Sequence, residues 1–218
     1  GVRVRWLDQN PERVLSLLEM LKDDPSSMVR RSVANNLNDL GKVRPDLLVR
    51  IAQAWLTADA TPERRMLVEH ALRGAIKRGD AAALTVLGYG RQPKVSLQAV
   101  AFVPRQVPIG ERVKMTFRLK STVARRQQLL VDVAVHFVKA RGTTGRKVFK
   151  LGRFDVGPHE GLDLKASFSL EIHTTRVPRP GRHAVDVIVN GHVIHAGAFE
   201  VVPGDRRTTR SSDVAGLE

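Results

Sequence analysis

The chain has 218 residues, 36 Lys and Arg against 22 Asp and Glu, a formal net charge of +14 and no cysteine. The lack of cysteine excludes a disulfide-stapled domain, a thiolate nucleophile and a zinc site built on sulfur. An apolar share of 42% suffices for buried cores, no apolar run reaches the roughly 18 residues of a membrane span, and the N-terminus opens no signal peptide. The expectation is a cytoplasmic protein of one or two domains with no membrane partner.

Charge is unevenly placed. Residues 1–90 carry 14 basic groups against 11 acidic, and residues 91–218 carry 22 against 11; 26 of the 36 basic residues are arginine, whose planar fork suits phosphate. A polyanionic partner and an arginine-rich solvated surface both fit this balance.

From Asn10 to Leu87 apolar residues recur at helical spacing: Val14, Leu17, Leu18, Leu21; Val29, Val33, Leu37, Leu40; Leu47, Leu48, Ile51, Trp55; Leu67, Ala71, Leu72, Ile76. Four helices fit. Asn10-Pro11, Pro25-Ser26-Ser27, Arg44-Pro45-Asp46 and Thr61-Pro62-Glu63 mark their starts, and Gly41 and Gly79 sit where C-terminal breaks belong. A shift of 34 lays Asn10-Pro11 on Arg44-Pro45, and a shift of 35 lays Val33, Leu37 and Lys42 on Val68, Leu72 and Lys77. Residues 1–90 therefore read as HEAT-like helix pairs of an α-solenoid, with fewer repeats than such arrays usually need.

Gly88 to Pro93 reads as a linker, and beyond it the period becomes two. Alternating stretches at 95–103, 111–120, 128–139, 146–152, 161–172, 183–190 and 192–202 predict about seven strands, with Asn190-Gly191 as a hairpin turn. Residues 91–202 read as an immunoglobulin-like β-sandwich, so the fold class is multidomain α and β. Residues 203–218 are expected to be a disordered tail.

Two surfaces invite a partner. On the helix over 26–41, Arg31, Asn35, Asn38 and Lys42 share a side, and their register partners are Met66, His70, Arg73 and Lys77. This stripe suits a phosphate backbone; the alternative is a solvated face with Asp39 and Glu69 as local ion-pair partners. Of the asparagines, Asn35 and Asn38 are placed for a ligand, and Asn36 for a structural bond to a neighbouring loop. In the β half, Arg112, Lys114, Thr116, Arg118 and Lys120 form one strand face, and Lys139 to Lys147 a basic loop; either a DNA probe or a blocked edge accounts for them. There is no P-loop, no His-Glu-x-x-His and no nucleophile elbow, and His192 and His195 fall on opposite strand faces, so no cofactor or metal is expected.

The run from Asp23 to Asp39, with Arg30-Arg31-Ser32-Val33-Ala34-Asn35-Asn36-Leu37-Asn38-Asp39 at its centre, resembles the DNA alkylation repair family of HEAT-like-repeat DNA glycosylases. Val68 to Arg73, Lys77 to Asp80 and Leu84 to Tyr89 continue the likeness. The β half resembles the immunoglobulin-like extension of the AlkC-type branch through Val135 to Ala140, Lys147 to Leu151 and Pro180 to His183. The resemblance implies a monomer that acts on double-stranded DNA containing alkylated bases. It implies hydrolysis of the N-glycosidic bond of cationic bases such as 3-methyladenine, without cofactor, metal or base flipping. Such a base already carries the charge of a leaving group, so the enzyme stabilises the developing sugar cation and places a water.

The chain departs from the family at its start. The family's catalytic acid lies in a Ser-Glu-Gly element, and Gly1 to Trp6 resembles the continuation of it, so these 218 residues are expected to be the C-terminal part of a glycosylase and inactive alone. Trp6 is the expected catalytic aromatic. Arg3, Arg5, Arg30, Arg31, Arg73 and Lys77 are the expected phosphate contacts, with Asn35, Asn38 and His70 as further DNA-binding residues. The alternative is a non-catalytic helical-repeat and sandwich module that binds nucleic acid or protein.

Overall fold

The computed structural model describes residues 10–56, 59–89, 92–139, 142–172 and 177–204. Arg3, Arg5 and Trp6, and the tail from residue 205, lie outside the described residues. The chain divides into two compact units, the first up to Gln92 together with Asn190–His192, the second from Pro93 on without those three residues.

The first unit is helical: α1 Glu12–Leu21, α2 Ser27–Leu40, α3 Pro45–Trp55, α4 Pro62–Arg78 and α5 Ala81–Val86. Pro45 and Pro62 open α3 and α4, where a missing N–H costs nothing. Thr61 Oγ1 accepts from the Arg64 N–H at 3.2 Å and Asp80 Oδ1 from the Ala83 N–H at 2.9 Å, each satisfying an otherwise orphaned donor. Gly79 ends α4 at φ +81, a left-handed cap that a side chain would strain. Gly41 also ends a helix, but at φ −66; its role is to let Leu48 pack close.

Val33, Ala34 and Leu37 of α2 pack with Leu48, Ala52 and Trp55 of α3 and Val68, Ala71 and Leu72 of α4. Burying each large apolar side chain contributes roughly 1.5–3 kcal/mol. Cross-links between α2 and α4 keep a nearly constant sequence offset: Asn35 to His70, Asn38 to Gly74, Gly41 to Arg78. A constant positive offset means parallel helices, so α2 and α4 lie side by side with their polar edges level.

The second unit holds eight strands: β1 Val95–Val103, β2 Gln106–Pro108, β3 Arg112–Ser121, β4 Gln127–Val138, β5 Thr144–Val156, β6 Gly161–Ser169, β7 Gly181–Val189 and β8 His192–Val202. They form sheets of order β1-β3-β6 and β2-β8-β7-β4-β5. β3 alternates strictly, burying Val113, Met115, Phe117 and Leu119 and exposing its basic residues. These meet Leu129, Val131, Val133 and Val135 of β4, Phe168 of β6 and Phe199 of β8 in the sandwich core. Asn190 and Gly191 both take positive φ, +48 and +79, as a two-residue hairpin turn needs. β2 was not expected; it is three residues long and pairs in parallel with β8.

Candidate functional site

The polar edge of the helical unit is organised around one atom. Asn35 Oδ1 accepts from Arg73 Nη2 at 2.9 Å and lies 3.1 Å from His70 Nε2. Arg73 can only donate, so the atom facing it must be the amide oxygen, and His70 must then carry its hydrogen on Nε2. The Arg73 guanidinium is held from its other side by the His70 backbone carbonyl at 2.5 Å. Three residues of the expected stripe thus form a connected cluster, built by the offset between two parallel helices.

Beside it, a shallow cleft of about 250 Å³ lies between the N-terminal halves of α2 and α4, with Arg30, Arg31, Glu63, Met66 and His70 in its lining. Burial, then repulsion from Arg73 and Arg31, holds the His70 pKa below its ordinary value, so the ring favours its neutral form. Arg31 is exposed toward this cleft, whereas Arg30 is turned to the loop before α2, where it donates to the carbonyls of Asp24 at 2.6 Å and Pro25 at 2.9 Å. Further along, Lys42 pairs with Asp39 at 2.6 Å, and its hydrogen bond is the main reason the Asp39 carboxyl titrates below the usual range. Lys77 is exposed on α4.

Two asparagines differ from expectation. Asn38 is not on the ligand-facing edge: it is 8% exposed, and its Oδ1 accepts from the Gly74 N–H at 3.1 Å, joining α2 to α4. The buried face of α2 includes Ala34 and Asn38, one turn apart, and is wider than the apolar residues alone indicate. Asn36 is exposed and bonds back to the Ser32 carbonyl at 2.9 Å instead of to a neighbouring loop. Gly74, absent from the expected site, lets Asn38 reach the α4 backbone. A glycine inside a helical pattern was the available signal.

On the sandwich, part of the basic face is compensated locally, since Arg118 makes a two-pronged contact with Asp163 at 2.6 and 2.8 Å. On the other sheet, Asp186 accepts from His136 at 2.7 Å and His195 at 3.2 Å. Among the described residues no group of three or more His, Asp or Glu is placed to hold a metal ion, and no helix is long and apolar enough to cross a membrane.

A helical part followed by an immunoglobulin-like sandwich defines an AlkC-like class of chain. The alkylpurine DNA glycosylase AlkC of Pseudomonas fluorescens, solved bound to DNA containing an abasic site analog, superposes with a TM-score of 0.88 at 36% identity, over 93% of this chain and 56% of that one. Residues 96–203 match the family described as the C-terminal Ig-like domain of the uncharacterised protein YhaZ. The Bacillus subtilis (strain 168) protein YhaZ is 35% identical over 201 residues, which are 92% of this chain and 55% of that protein. The chain thus spans about half the length of the relatives it matches.

Proposed function

We propose that the chain serves DNA alkylation repair, supplying a DNA-binding surface to a glycosylase that cleaves the N-glycosidic bond of cationic alkylated bases. The likeness to DNA-bound AlkC carries this reading, since it extends through the helical unit and the sandwich at 36% identity. The cluster of Asn35, His70 and Arg73 with Arg31 beside it supports it: an edge rich in donors suits phosphate oxygens. In this reading Arg31, Arg73 and Lys77 contact the DNA backbone, as do Arg3 and Arg5, and Trp6 meets a sugar or base. Arg30 acts indirectly, by fixing the loop before α2, and Asn38 only by joining the helices.

In the same reading the chain alone binds DNA but lacks the catalytic acid. The cluster of Asn35, His70 and Arg73 has no carboxylate of its own, so it can hold and orient an anion but does not by itself stabilise a sugar cation. Two assays test this. Fluorescence anisotropy should show the 218-residue chain binding a short DNA duplex at low salt; no binding there would sink the DNA reading. Incubated with methylated DNA, the same chain should release no 3-methyladenine, and release above the spontaneous rate would overturn the reading that it lacks the catalytic acid.

A further inference from the structure

We propose that the notch formed by Asn35, His70, Arg73 and Arg31 binds one backbone phosphate of DNA and takes up one proton on His70 as it does so. This rests on the DNA-binding reading above and adds to it a specific contact and its dependence on pH. The geometry points to it in three steps.

First, the Asn35 oxygen is saturated by two donors, one from each of its partners on α4. That arrangement fixes the His70 tautomer with hydrogen on Nε2, so Nδ1 is the ring atom on which a proton can be gained. Second, the charged groups that act on the ring are cationic, Arg31 from α2 and Arg73 from α4, with Arg30 and Glu63 also in the cleft lining. Asp39, whose carboxylate feels Arg73, is paired with Lys42. In the free protein a proton on His70 meets two guanidinium groups in a half-buried site, and the ring stays neutral.

Third, a phosphate placed in the notch offsets the guanidinium repulsion. It brings negative charge to the guanidinium groups and accepts hydrogen bonds from them, and it offers Nδ1 an acceptor once that atom is protonated. Binding and proton uptake are then linked: the group that favours the charged ring in the complex must, by reciprocity, bind more tightly as the pH falls. Asn35 acts as a positioning residue, since its oxygen sets both the guanidinium and the ring.

The test uses the 218-residue chain and a short undamaged duplex at constant ionic strength, titrated from about pH 8 down to about pH 5.5. Affinity is expected to rise as pH falls, by up to about tenfold per unit where the free ring is neutral and the bound ring charged. H70Q retains a donor toward Asn35 but cannot take a proton, so it should flatten that rise. Calorimetry in buffers of different ionisation enthalpy should show one proton fewer taken up by H70Q. The His70 ring signal in NMR, which needs no variant, should titrate at higher pH with duplex than without. Equal pH slopes for wild type and H70Q, or an unmoved His70 titration, would overturn the proton-coupled notch while leaving DNA binding intact. Failure of the wild type to bind duplex at any pH would take down the DNA reading and the notch together.

Discussion

Gly74 lies inside α4, one turn before its end, where glycine costs about 1 kcal/mol relative to alanine. A Cβ there would stand 2.5 Å from Asn38 Oδ1, the atom that accepts from the Gly74 N–H. Gly74→Ala therefore gains propensity but displaces a buried amide, and an unsatisfied buried polar group costs about 1–3 kcal/mol. The expected outcome is a net loss of about 1 kcal/mol in denaturant unfolding; a stabilised variant would show that Asn38 yields freely. His183 is a second residue with a readable consequence. It is fully buried between Phe137 and Phe199, its Nε2 bonds the Arg179 carbonyl at 3.0 Å, and its Nδ1 has no partner. Burial lowers its pKa below 6.5, so as pH falls the unfolded chain takes the proton first. The stability this ring contributes is complete above about pH 6.5 and declines from there down to its depressed folded pKa, and His70 adds in the same direction. Denaturant melts across this window should show a shallower acid loss for His183→Gln than for wild type.

At the scale of elements, the short helix α5 depends on its cap. It has six residues, too few to be stable on propensity, and Asp80 satisfies the Ala83 N–H at its start. Asp80→Ala should cost about 1 kcal/mol and raise amide exchange in α5 before the rest of the helical unit. This helix was not legible in the sequence, because Ala81-Ala82-Ala83-Leu84 is too short to show a period. α3 and α4 were legible, since a proline in the first turn and a wide apolar repeat agree. β2 escaped for the same reason as α5: three residues show no alternation, and its pairing with β8 is decided by the sheet. Asn35, His70 and Arg73 could be grouped from the 35-residue shift because side chains of parallel helices repeat with that shift. The inward turn of Asn38 could not, because it depends on the space left by a glycine of another helix.

For the molecule as a whole, the count of 36 Lys and Arg overstates how many are free to meet a polyanion. Arg118 is engaged with Asp163 and Arg112 lies 3.7 Å from Glu171 on the sandwich, and Lys42 with Asp39 on the helical unit. Arg31 and Lys77 are exposed, and the contacts assigned to them above predict that Arg31→Ala and Lys77→Ala each lower the slope of log affinity against log salt by about 0.9. An unchanged slope would remove that residue from the phosphate contacts. The parallel register of α2 and α4 also limits how such a chain can change. One residue inserted between His70 and Arg73 would swing the guanidinium about 100° around α4 and away from Asn35. A residue inserted between Trp55 and Pro62 would instead fall between α3 and α4 and leave every offset within each helix intact. Length variation among working descendants of this sequence should therefore collect in the connections and be absent from within these two helices.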